Sequence, residues 1–69
     1  MYKVRCLMND SRHTEKIETC SSYAEAVERF LFYVHLTLED GLNLLCVNIL
    51  NGKKCIKMFS SNIYGYGRQ

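Results

Sequence analysis

The segment that most limits how this chain can fold runs from Ser22 to Gly41, a capped helix between stretches that alternate like strands. Tyr23, Val27, Phe30, Leu31, Val34 and Leu38 recur at 3.6-residue spacing and predict a stripe facing a core. Ser22-Tyr23-Ala24-Glu25 has the form of a capping box, in which the Ser22 hydroxyl accepts from the Glu25 amide and Glu25 reaches back to the Ser22 amide. Gly41 suits the left-handed residue that closes a helix near Glu39, although Glu39 and Asp40 oppose the macrodipole there. Phe32 and Leu36 project on the other side, among Glu25, Glu28, Arg29 and Glu39, with Glu25 and Arg29 spaced as an i,i+4 pair. Large apolar residues on a charged helix face point to a partner.

The flanking segments supply strands. Tyr2, Val4, Cys6 and Met8 alternate with Lys3, Arg5 and Leu7, which predicts a half-buried strand. A polar loop at Asn9-Asp10-Ser11-Arg12 leads to a weaker strand from His13 to Cys20, whose Ile17 and Thr19 are expected to face inward. Its charges, Glu15, Lys16 and Glu18, suit an edge. Leu42 to Leu50 is apolar on both faces and predicts a central strand. Asn51-Gly52 predicts a two-residue type I′ turn, with Leu50 opposite Lys53, Asn48 opposite Cys55, Val47 opposite Ile56 and Leu45 opposite Met58. That register seats the helix on Leu45, Val47, Ile49, Ile56 and Met58, and leaves Leu44, Cys46, Asn48, Leu50, Lys53, Cys55, Lys57 and Phe59 on the other face.

The resulting order is β-β-α-β-β, an α+β fold with a four-stranded antiparallel sheet and one helix packed on one face. Residues 1–60 form a single domain, and residues 61–69, polar and then Tyr64-Gly65-Tyr66-Gly67-Arg68, read as a flexible tail. With 69 residues the core is small, so a disulfide, a metal or a second subunit is the usual reinforcement.

Chemistry is sparse. Cys6, Cys20, Cys46 and Cys55, with His13 and His35, lack any C-x₂₋₄-C zinc spacing, so no metal is expected. Cys46 and Cys55 fall diagonally on one hairpin face, the one pair placed to form a disulfide under oxidation. No apolar signal core opens the chain, which places it in a reducing cytoplasm with free thiols. No run reaches the length of a membrane span. There is no phosphate-binding glycine loop and no oriented thiol–base pair, so neither enzymatic activity nor a cofactor is expected. Nine basic against seven acidic residues, a net +2, excludes an acidic DNA mimic and gives a weak nucleic-acid footprint.

Protein binding, to a host complex or to a second copy, is therefore the leading expectation. On the helix it assigns Arg29, Phe32, Tyr33 and Leu36. On the open sheet face and tail it assigns Lys3, Arg5, Lys53, Lys57, Phe59, Tyr64, Tyr66 and Arg68, which also serve the alternative, single-stranded nucleic acid held by cations and stacked aromatics. The layout Tyr2–Met8, His13–Cys20, Ser22–Glu39, Leu42–Leu50, Lys53–Phe59 resembles the small phage-encoded anti-defence proteins, anti-CRISPR proteins among them, in size and element order. The resemblance implies a cytoplasmic stoichiometric inhibitor that occludes a surface of a host defence complex.

Overall fold

The computed structural model describes residues 1–60. Strands β1 (Tyr2–Met8) and β2 (Glu15–Cys20) precede helix α1 (Tyr23–Glu39), and β3 (Leu44–Asn51) and β4 (Lys54–Ser60) follow it. The four strands form one antiparallel sheet in the order β2-β1-β3-β4. The α+β architecture and the β-β-α-β-β order match the sequence expectation, as do the edge position of β2 and the central position of β3.

The helix starts where the capping residues place it. Ser22 is extended, and its hydroxyl accepts from the Glu25 amide at 3.1 Å. The reciprocal bond is displaced by one residue: the Glu25 carboxylate accepts from the Ser21 amide at 2.8 Å and from the Ser21 hydroxyl. At the other end Gly41 has φ +73° and the Leu36 carbonyl accepts from both the Asp40 and Leu42 amides, which satisfies a carbonyl the helix leaves open. The β1–β2 loop is closed by Asp10, whose carboxylate accepts from the Arg12 and Thr14 amides.

The core lies between one face of the sheet and α1. Val4 and Cys6 of β1, Cys20 of β2, Leu44, Val47 and Ile49 of β3, and Ala26, Phe30 and Tyr33 of α1 are buried. The inward stripe is thus rotated from the expected one. Tyr33 is 5% exposed, whereas Leu31 and Leu38, expected in the core, are 43% and 60% exposed and Tyr23 is exposed as well. The reason is chemical: the Tyr33 hydroxyl donates to Glu18 on β2, so its polar end is satisfied and its ring is buried.

Two irregularities redistribute the hairpin. Asn51 pairs with Lys54, so the turn residues are Gly52 and Lys53, not Asn51 and Gly52, with Gly52 at φ +65° in the first central position. Beyond Leu50↔Cys55 the register shifts, Ile56 being the extra residue, and Lys57 comes opposite Ile49, Met58 opposite Asn48 and Phe59 opposite Val47. A bulge inverts parity, so Lys57 and Phe59 lie on the helix side while Met58 lies on the open side, the reverse of the expectation. A second shift, between Leu7 and Met8, makes Leu45 the extra residue and buries Leu44 on the helix side. The helix is therefore seated on Val4, Cys6, Leu44, Val47 and Ile49; Ile56 and Met58 are exposed.

Candidate protein-contact surfaces

On the outer side of α1, Arg29 reaches across to β2 rather than along the helix to Glu25. Its Nε donates to Glu18 Oε1 at 2.8 Å and its Nη2 to Oε2 at 3.3 Å. The guanidinium lies 4.5 Å from the centre of the Phe32 ring, and Phe32 meets Tyr33 edge-on at 5.4 Å. The Arg29 bonds, opposed by burial and aided by the Tyr33 hydroxyl, hold the Glu18 carboxyl below its ordinary range, and Glu18 raises Arg29 in return. Burial and then the Glu18 bond push the Tyr33 phenol up. Of the four residues assigned to a partner on this face, Tyr33 is thus core, Arg29 is engaged within the chain, and Leu36 is half-buried. Phe32 has a use in the monomer that its sequence position does not disclose, as a cover for the ion pair, yet it remains 45% exposed.

The second surface is the sheet face away from α1. The pairings place Lys3, Arg5 and Leu7 of β1 beside Thr19, Ile17 and Glu15 of β2, and beside Leu50, Asn48 and Cys46 of β3; Cys55, Met58 and Ser60 of β4 complete it. Ile17 and Thr19 are on this face and not inward; the β2 residues directed to the helix side are Lys16, Glu18 and Cys20. Ile17 is 51% and Met58 60% exposed. Arg5 donates through Nε to Glu15, which raises its already high pKa and neutralises its charge locally. At the centre, Asn48 Nδ2 donates to Cys55 Sγ at 3.4 Å while Oδ1 is buried without a partner. Of the residues assigned to this face, Lys3 and Arg5 lie on it. Lys53 is in the turn, Lys57 and Phe59 are on the helix side, and Tyr64, Tyr66 and Arg68 fall outside the described residues, as does the tail they belong to.

The third surface went unrecognised in the sequence. Helix α1 rests on β1 and β3, reaches β2, and scarcely touches β4. The helix side of β4, with Lys54, Lys57 and half-buried Phe59, therefore forms a ledge beside the Leu31–Leu38 flank. The signal was present as spacing: Leu31 and Leu38 are seven residues apart, on the flank opposite Arg29.

Among the described residues no pocket and no cluster of metal-binding side chains occurs. All four cysteines are free thiols, and burial pushes Cys6 and Cys20 up, which suppresses thiolate formation. Cys55 is opposite Leu50, four residues along β3 from Cys46, a separation of about 13 Å that a disulfide cannot span. No helix among the described residues is long and apolar enough to cross a membrane. No family model, no curated protein and no solved structure matches the chain.

Proposed function

We propose that this chain is a non-enzymatic protein-binding module that acts by occupying a partner's surface. The observation that supports this reading best is the sheet face away from α1, which no described element covers and where Leu7, Ile17, Leu50 and Met58 surround a polar centre of Arg5 and Asn48. Large apolar side chains gathered on one face and left exposed, Ile17 at 51% and Met58 at 60%, mark a protein contact. A single-stranded nucleic-acid platform needs aromatic rings for bases and cations for phosphates. Among the described residues this face has no aromatic ring, and of its two cations Arg5 is paired with Glu15. The likeness in size and element order to small phage-encoded inhibitors makes a subunit of a large host defence complex the class of partner, bound stoichiometrically in the cytoplasm.

The test is affinity capture from host lysate with the wild-type chain and with an Ile17→Glu/Met58→Glu variant, both positions being exposed and tolerant of charge. A host protein enriched by the wild type and lost with the variant supports the reading. Equal capture by both would overturn the sheet-face assignment. Binding to single-stranded oligonucleotides that weakens steeply with salt would favour nucleic acid instead.

A further inference from the structure

We infer that the chain pairs with a second copy of itself through its helix layer. In the pair, α1 of each copy lies over β4 of the other, and the two helices are held side by side between two sheets. This rests on the protein-binding reading, but uses the opposite side of the sheet.

The first support is the coverage of the sheet. Strands are spaced about 4.8 Å, so β4 runs about 7 Å from the β1–β3 seam on which α1 rests. Packed helices lie 8–10 Å apart. A second helix beside α1 therefore sits over β4, which α1 scarcely touches. The wall it would meet is Leu31 and Leu38, exposed at 43% and 60%, and the floor is exposed Lys54 and Lys57.

The second support is charge. From Gly41 to Ser60 the chain carries Lys53, Lys54 and Lys57 and not a single carboxylate. The outer face of α1 carries Glu28 and Glu39 beside exposed Phe32 and half-buried Leu36. The helix surface is thus the complement of the ledge in charge, and both belong to the same molecule. A contact of α1 with the partner's β4 is repeated by symmetry, so the assembly closes at two copies and does not extend into a filament.

The third support is area. A helix of 17 residues is about 25 Å long and about 10 Å wide. Three contacts of that footprint, helix on helix and each helix on the other copy's β4, bury roughly 1,500 Å² counted on both sides, the size of a standard specific interface.

Sedimentation velocity of the full chain across a hundredfold concentration range tests this. The wild type is expected at twice the chain mass at the upper end, and Leu31→Glu/Leu38→Glu at the chain mass throughout, with an unchanged circular dichroism spectrum. The decisive arm is a charge exchange that does not depend on disruption. Glu28→Lys/Glu39→Lys alone and Lys54→Glu/Lys57→Glu alone should each lose at least tenfold in self-affinity, while their mixture forms a heterodimer. A wild-type chain that stays monomeric at every concentration overturns the inference. So does a mixture no tighter than its components. A dimer broken by Ile17→Glu/Met58→Glu and not by the helix-flank variant would also overturn it, because the second copy would then occupy the open face; a helix-layer dimer leaves the protein-binding reading of that face to be decided by its own experiment.

Discussion

Replacing Glu18 by Gln, Arg29 by Gln, and both together isolates the contact that ties the helix to the edge strand. Glu18 accepts two bonds from Arg29, at 2.8 and 3.3 Å, and a third from the Tyr33 hydroxyl. A fully exposed pair would contribute about 0–1 kcal/mol, and breaking a fully buried one would cost about 3–5 kcal/mol. Here the side chains are 38% and 26% exposed, so solvent screens the pair in part, and its forked geometry offsets some of that loss. A coupling energy of about 1–1.5 kcal/mol follows, with about 4–8 °C of Tm lost per kcal/mol in a domain of this size. Urea unfolding followed by far-ultraviolet circular dichroism, at one fixed protein concentration and pH 7, measures all four corners of the cycle. Phe32→Ala should cost less in the Glu18→Gln background than in the wild type, because an unanchored guanidinium no longer lies over the ring. A coupling below about 0.3 kcal/mol would refute the reasoning and return Phe32 to the residues without a role in the monomer.

Other outcomes follow from single features. The Glu18 carboxyl is lowered on folding, so its contribution is complete above the unfolded value near pH 4.3 and is lost as pH falls through the lower folded value; stability profiles should decline below about pH 4.5, and less steeply for Glu18→Gln. Asn48→Val removes an acceptor buried without a partner on a central strand and should stabilise by about 1 kcal/mol in urea titration; destabilisation of that size would show that Oδ1 is satisfied. Gly52→Ala meets no atom within 4 Å but forces φ +65° on an alanine, and should cost about 1–2 kcal/mol. Under native conditions iodoacetamide should modify Cys55 quickly and leave Cys6 and Cys20 untouched, and a mild oxidant should not join Cys46 to Cys55 within one chain; rapid labelling of all four would contradict the packing.

What could be read in the sequence was whatever depends on local periodicity and capping. Ser22 and Gly41 bound the helix because orphan amides and carbonyls need partners, and Val4 and Cys6 face inward because nothing interrupts the alternation of β1. What was hidden depends on single-residue insertions. Nothing in Leu44-Leu45 or Ile56-Lys57 announces which residue is the extra one, yet each bulge decides the face of everything past it. The rotation of α1 was hidden for another reason. Leu31 and Tyr33 are both plausible core residues by hydropathy, and the choice between them is made by a carboxylate eleven residues before Arg29. Consequently the open-face assignment survives for Lys3 and Arg5 and fails for Lys57 and Phe59, both carried by a strand whose parity the turn alone could not set.

The strand order also dictates how the chain can come together. β1 with β2 and β3 with β4 are neighbours in sequence, each joined by a short loop, whereas Val4 meets Ile49 across 45 residues at the central seam. Only that seam requires closing a long stretch of chain, at an entropic cost that local hairpins avoid. Side chains lining it, Val4 and Val47 above all, should therefore set the folding rate, while changes at Gly52 should chiefly alter a step that precedes it. A backbone cut at Gly41 would separate a front part with five basic and seven acidic residues from a rear part with four basic and none acidic. Two fragments of opposite sign, each holding one hairpin, are suited to find one another again in solution at low salt.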